Sequence, residues 1–213
     1  MKKLWLSPRR QFIATAMLVS IVFGLPLSAL LIEEMCRPTG IHTNPYIYHD
    51  VAVTDVIPQK TAVGQGYRAR VNVTAVNEGD FIETFSVTAN ANHTIIEMKE
   101  VALASGASIL ITFTWNTTGF AYGNYTVSAN ADQVPGETDI ADNTLVDGWV
   151  VVTIPGDINR NFKVDPKDLL MLARAYGSEI GIPRCVPEAD IDCDGKVDHK
   201  DLLILTSNYG KET

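Results

Sequence analysis

The stretch from Asp157 to Gly210 constrains this chain more than any other. A 21-residue phrase, Asp157–Gly177, returns 33 residues later as Asp190–Gly210, with 12 of the 21 positions identical. A repeat at fixed offset marks one structural unit made twice. What recurs is a spaced set of oxygen-bearing side chains, then an apolar-periodic run opening with Asp168-Leu169-Leu170 in one copy and Asp201-Leu202-Leu203 in the other. The pattern predicts a ligand-bearing loop followed by a helix, two times over.

The spacing is that of an EF-hand loop. Calcium is a hard cation that takes six to eight oxygens, supplied from loop positions 1, 3, 5, 7, 9 and 12, with position 7 giving a backbone carbonyl. In the first copy these positions hold Asp157, Asn159, Asn161, Lys163, Asp165 and Asp168. In the second they hold Asp190, Asp192, Asp194, Lys196, Asp198 and Asp201. Two calcium sites are therefore expected. Position 6 needs a sharp turn, which Gly195 supplies and Phe162 does not. A non-glycine residue in the left-handed region costs about 1–2 kcal/mol. The first loop also has three carboxylates against five in the second, so the second site is expected to be tighter. Val164 and Val197 at position 8 are placed for the two loops to pair with each other.

No helix precedes the first loop. Trp149–Ile154 reads as a strand and Pro155-Gly156 as a breaker. Each unit is thus loop then helix, with Asp rather than Glu at position 12. Residues 155–213 in this respect resemble a type I dockerin. The resemblance implies the ligands named above, position by position, and a cohesin-like partner. The family tends to carry a small hydroxyl pair at loop positions 10 and 11, where this chain has Pro166-Lys167 and His199-Lys200. Leu169, Leu172, Ala173 and Tyr176 form one helical stripe, and Leu202, Leu205 and Tyr209 another, expected to be mutual core. Leu170, Met171, Leu203 and Ile204 point elsewhere. With almost no linker after Ile154, these are expected to meet the preceding domain.

From His49 to Ile154 the apolar period is two. Ala69, Val71, Val73 and Ala75 alternate with Arg68, Arg70, Asn72 and Thr74. Phe85, Val87 and Ala89 form a second such row, Ile109, Ile111, Phe113 and Trp115 a third, and Tyr125, Val127 and Ala129 a fourth. Runs at 50–56, 94–101 and 148–154 bring the count to about seven strands, which suits an Ig-like sandwich. The segments 49–53, 73–80, 113–119 and 142–144 (His49-Asp-Val-Ala-Val, Val73-Thr-Ala-Val-Asn-Glu-Gly-Asp, Phe113-Thr-Trp-Asn-Thr-Thr-Gly, Asp142-Asn-Thr) make the run similar to a CARDB domain. That is the cell-adhesion-related sandwich of prokaryotic, foremost archaeal, surface proteins. The resemblance implies a surface role and transfers no catalytic residue.

Residues 1–35 place Lys2, Lys3, Arg9 and Arg10 before an uncharged run from Phe12 to Ile32. Its 21 residues are long enough to span a bilayer. The segment reads as a signal peptide or a membrane anchor, helical and hydrophobic, with the basic end inside. Residues 36–48 read as a spacer. The chain beyond them is expected on the extracellular face of the membrane or secreted. Cys185 and Cys193 are expected to form a disulfide there, with free thiols as the alternative, and Cys36 is left over. Sequons at Asn72, Asn92, Asn116 and Asn124 sit on solvent-facing parity and are candidate glycosylation sites.

Net charge is −8, and −10 beyond residue 35, which disfavours nucleic acid. His42, His49, His93 and His199 fall in no metal or catalytic spacing, and no nucleophile elbow or phosphate loop is present. The expected architecture is an all-β Ig-like sandwich (49–154), a small α-helical dockerin-like calcium domain (155–213) and an N-terminal hydrophobic helix. The expected function is non-enzymatic adhesion or display at the cell surface, with another surface protein as partner. The alternative is an assembly subunit that docks into a cohesin-like receptor of a polysaccharide-handling complex.

Overall fold

Alternation of small β-branched and polar residues builds eight strands: β1 (Val51–Pro58), β2 (Ala62–Gly64), β3 (Arg68–Asn77), β4 (Glu83–Ala91), β5 (Thr94–Leu103), β6 (Ser108–Asn116), β7 (Gly123–Ala131) and β8 (Thr144–Thr153). The structure is a computed structural model, and it describes residues 48–179, 181 and 186–213. The expected N-terminal helix, the spacer up to residue 47, Cys36 and Cys185 lie outside the described residues. Among the described residues no helix is long and apolar enough to cross a membrane.

The strands form two sheets, ordered β1-β3-β6 and β2-β8-β7-β4-β5. All pairings are antiparallel except β2 with β8, which is parallel. The short β2 is the strand that alternation alone does not reveal, being three residues long and buried throughout. It carries the chain from the first sheet to the edge of the second. The inward rows are those expected from period two: Ala69, Val71, Val73 and Ala75 on β3, Phe85, Val87 and Ala89 on β4, and Ile111, Phe113 and Trp115 on β6 are all buried. Ile109 keeps the right parity but is 36% exposed at the outer end of β6. Trp115 meets Phe120 and Tyr125 edge-to-face, with centroids 5.2 and 5.6 Å apart.

The open flank of the sandwich is closed by side chains. Lys99 Nζ on β5 donates to the Thr112 carbonyl (2.7 Å), and Glu97 accepts from the Thr114 N–H (2.8 Å). These contacts occupy backbone groups of the edge strand β6 that would otherwise invite another strand.

The described residues after Thr153 are tied back to the β1–β2 connection, through Lys60 to Asp190 and Thr61 to Glu188, and belong with the sheets to one compact unit. Gly156 makes the reversal: its φ is +102°, and a Cβ there would lie 2.9 Å from Leu205 Cα. Two helices follow, α1 (Pro166–Ala175) and α2 (His199–Asn208). Their shared core is Ile154, Ile158, Val164, Leu172, Ala175, Ala189, Ile191, Val197 and Leu205.

The expected helical stripes meet this core in part: Leu172 and Leu205 are in it and Leu202 packs against it. Leu169, Tyr176 and Tyr209 are exposed, and the buried row is Asp168, Leu172 and Ala175 on α1 with Asp201 and Leu205 on α2. The reason is the carboxylate at loop position 12. It must turn back into its own loop, and that turns the helix face with it. Of the four residues expected to meet the sandwich, Leu170 and Leu203 are 51% and 62% exposed, and Met171 and Ile204 pack partly buried against the helical core.

Candidate metal centre

Each helix is started by the two acids that close its loop. Asp165 and Asp198 are N-caps, and Asp168 and Asp201 reach back to complete capping boxes. Asp168 is fully buried. Its Oδ1 accepts from the N–H of Ile158 (2.9 Å) and Asn159 (3.1 Å), and its Oδ2 from Asp165 (2.9 Å). Asp201 repeats this with Ile191 (2.6 Å), Asp192 (3.3 Å) and Asp198 (2.8 Å).

The acids at position 1 are buried too. Asp157 accepts from the N–H of Asn161 (3.1 Å) and Phe162 (2.8 Å), and from Thr153 Oγ1. Asp190 accepts from the N–H of Asp194 and Gly195, both at 3.1 Å. Positions 3 and 5 curl each loop further: Asp192 accepts from Asp194 N–H (3.2 Å), Asn161 from Lys163 N–H (3.0 Å), and Asp194 from Lys196 N–H (3.0 Å). One oxygen each from Asp190, Asp192 and Asp194 lie within 4.8 Å of one another. Lys163 and Lys196 send their ammonium groups outward, to Glu212 and Glu179, which leaves the position-7 main chain with the loop.

The turn at position 6 is left-handed in both loops, with φ of +61° at Phe162 and +97° at Gly195. Position 4 is left-handed as well, +65° at Arg160 and +63° at Cys193. The sequence holds no signal for that second bend, since neither residue favours it. The strain is compensated locally: Arg160 stacks over the Trp149 ring at 5.3 Å and donates to Thr61 Oγ1 at 2.7 Å.

The loops do not pair with each other as Val164 and Val197 led us to expect. Val164 pairs with the segment after α2, through Gly210 N–H to Val164 O (2.9 Å) and Val164 N–H to Lys211 O (3.0 Å). Val197 pairs with the segment after α1, through Gly177 and Ser178 (2.8 and 2.9 Å). Gly177 and Gly210 are the same position of the repeat, so the module is two-fold in its bonding as in its sequence.

Electrostatics set the acids apart. Burial pushes the Asp168, Asp190 and Asp201 carboxyls above their ordinary range. Asp194 is held low by its bond to Lys200, 2.7 Å away. Lys60, which the sequence reading missed, is 3% exposed and donates to the Asp190 carbonyl at 2.6 Å. Glu188 adds a second tie, accepting from Thr61 N–H (3.1 Å) and Oγ1 (2.8 Å).

The donor set fits a hard cation. The side chains at positions 1, 3, 5, 9 and 12 all offer oxygen and position 7 offers its carbonyl, so the set needs no nitrogen or sulfur donor. Asn159 Nδ2 is buried with no acceptor. Rotating that amide by half a turn exchanges its nitrogen for an oxygen, the donor a cation needs.

Other expected sites are placed as follows. Cys193 is a buried free thiol, and its expected partner Cys185 lies outside the described residues. Asn92, Asn116 and Asn124 are exposed, and Asn72 is half-buried with its Oδ1 accepting from Thr112.

Residues 155–208 match the dockerin type I domain. The chain has no match among curated proteins. Among solved structures it is similar to a CARDB domain from Pyrococcus furiosus in complex with di-metal ions, at 23% identity over 52% of this chain and 99% of that one, TM-score 0.44. A domain assigned to a cell surface protein of Methanosarcina acetivorans is 23% identical over 49% of this chain and 92% of that one, TM-score 0.41. A β-glucosidase from Erythrobacter marinus is 14% identical over 49% of this chain and 15% of that enzyme, TM-score 0.40. These structural likenesses are too loose to carry a function.

Proposed function

We propose that this chain, with a dockerin type I match over 155–208, is a non-enzymatic, exported protein of the cell surface. In this reading a calcium-stabilised module (155–213) is seated on an adhesion or display sandwich (49–154). Residues 1–35 would serve as signal or membrane anchor and 36–48 as spacer. The observation that supports it best is the two-fold bonding of the loops, in which each position-1 and position-12 acid folds its own loop around the remaining ligand positions.

The first ion would be held by Asp157, Asn159, Asn161, Asp165, Asp168 and the Lys163 carbonyl. The second would be held by Asp190, Asp192, Asp194, Asp198, Asp201 and the Lys196 carbonyl. Calcium supplies the positive charge that lets these acids stay ionised together. An ionised carboxylate has about four acceptor positions, of which Asp168 and Asp201 each use three on backbone N–H groups. Each has one position left for an ion. The second loop, with more carboxylates and one fewer strained residue, should bind more tightly. Asn72, Asn92, Asn116 and Asn124 are the places for glycans, and oxidation of the free Cys193 thiol would join it to Cys185.

A second reading is favoured by the apolar surface of the helices. Leu169, Leu170, Tyr176, Leu203 and Tyr209 are all at least 36% exposed. A cohesin-like receptor would cover such a face and make the chain an assembly subunit.

Calorimetric titration of calcium into residues 47–213 tests the first reading. Two binding events are expected, one removed by Asp157→Ala and the other by Asp190→Ala, and a chain that takes up no calcium would end it. Capture on an immobilised type I cohesin, lost in chelator and in Leu203→Asp, would move the assignment to the second.

A further inference from the structure

The opposite end of the sandwich carries a second group of acids. Asp50 stands just before β1, Glu78 just after β3 and Asp142 two residues before β8. One carboxylate oxygen from each lies within 4.8 Å of the other two. The backbone holds them there. The Asp50 carbonyl accepts from the N–H of Glu78 (2.9 Å) and Gly79 (3.1 Å), and the Asp142 carbonyl from Val53 N–H (2.9 Å). Gly79 is required by this approach, because a Cβ would fall 2.8 Å from the Tyr48 carbonyl and 2.9 Å from the Asp50 nitrogen.

A second observation distinguishes this group from a chance acidic patch. Asp50 is 2% exposed, and its buried Oδ1 accepts no hydrogen bond; its Oδ2 is taken by Tyr48 OH at 2.6 Å. The buried Oδ1 of Asp142 is likewise without a partner. Leaving buried acceptors unsatisfied is costly, and more so when they are charged. Among the described residues no ion pair involves Asp50, Glu78 or Asp142. The neighbouring Glu137 shows what a structural acid looks like here: its two oxygens accept from Val51 N–H, Val134 N–H and Asn143 Nδ2.

We propose that Asp50, Glu78 and Asp142 form a third calcium site, separate from the repeat loops. Three carboxylates with no nitrogen or sulfur donor select a hard cation, and the exposed Glu78 leaves one side open for the waters that complete a calcium shell. The ion would fasten the ends of β1 and β3, in one sheet, to the approach of β8 in the other. Burial and the charges of Asp50 and Asp139 push the Asp142 carboxyl up, as expected of acids gathered without a counter-charge.

The test is the calcium content of the full chain after equilibrium dialysis against calcium chloride in the millimolar range of extracellular sites. Wild type is compared with Glu78→Gln, Asp142→Asn and the loop variants Asp157→Ala and Asp190→Ala. Glu78→Gln and Asp142→Asn should each lose one equivalent. Asp190→Ala should lose a different one, so that its combination with Glu78→Gln loses two. Glu78 is exposed, so Gln there leaves the sandwich folded, and circular dichroism checks this. An unchanged calcium count in both Glu78→Gln and Asp142→Asn overturns the proposal. So does a wild-type count that Asp157→Ala and Asp190→Ala together exhaust.

Discussion

Phe162 sits in a backbone conformation that its side chain resists. Its φ of +61° is the same bend that Gly195 makes in the second loop. Phe162→Gly should relieve about 1–2 kcal/mol of left-handed strain. Glycine's greater freedom in the unfolded chain takes back about 0.5–1 kcal/mol. The net gain of roughly 0.5–1 kcal/mol should appear as folding stability, because the bend is already made without calcium. Chemical denaturation of the variant checks it, and a loss of stability would mean that the Phe162 ring, half-buried beside Trp149 and Arg160, matters more than the turn. The buried acids make a second prediction at this scale. Asp50, Asp168, Asp190 and Asp201 are pushed up by burial, and Asp142 is taken from 3.8 to about 6. A carboxyl whose folded pKa is raised stabilises the fold fully below its unfolded value and loses that contribution as pH rises through its folded value. Metal-free protein should therefore melt higher near pH 5 than near pH 7. Calcium needs the ionised acids, so in its presence the order should reverse. Melting curves at both pH values, in chelator and in calcium, give the four numbers required. A metal-free protein that melts higher near pH 7 would show that these acids do not govern stability.

At the scale of elements, the helix phase is the most direct check on how the loops and helices are joined. Leu172 is 1% exposed and Leu169 36%. Leu172→Ala should cost about 2–5 kcal/mol. Leu169→Ala should stay within about 0.5 kcal/mol. Chemical denaturation in calcium separates them, and equal losses would restore the stripe expected from the sequence. Apolar residues alone do not mark the buried face of α1. Asp168 is both a candidate ligand and an inward-facing residue of α1, and its spacing to Leu172 and Ala175 is that of one helix face. Strand rows were legible because each has one buried and one solvated face, so that period two shows directly in the residues. β2 escaped because Ala62, Val63 and Gly64 are all buried, which removes the alternation. The ligand positions were legible because their chemistry and spacing repeat. The position-4 bend was not, because Arg160 and Cys193 give no local sign of it. Nor could the crossed pairing of Val164 and Val197 be read, since pairing partners are set by how the two halves fold over each other.

At the scale of the molecule, the module and the sandwich are joined through a charge placed beside a candidate cation site. The Lys60 ammonium is buried, donates to the Asp190 carbonyl, and lowers the pull of burial on the Asp190 carboxyl. Without calcium it is the counter-charge to Asp190 from the sandwich side, as Lys200 is to Asp194, in a loop where Asp190, Asp192 and Asp194 converge. With calcium in the loop the same ammonium faces a divalent ion. Unit and double charges several ångströms apart repel by several kcal/mol at an effective dielectric near 20, and the rest of the ligand shell screens much of that. Lys60 should therefore stabilise the calcium-free protein more than the loaded one. Lys60→Met keeps most of the apolar stem and removes the charge, leaving the Asp190 carbonyl without its donor. The calcium-free variant should lose about 1–3 kcal/mol. The loaded variant should lose less, and by linkage its second loop should bind calcium more tightly, about five-fold for a difference near 1 kcal/mol. Melting curves with and without calcium give the two stability losses, and calorimetry gives the affinity. If Lys60 acts only by positioning Asp190, the affinity falls instead, and the ammonium is then a fastener between the two parts of the molecule rather than a stand-in for the ion.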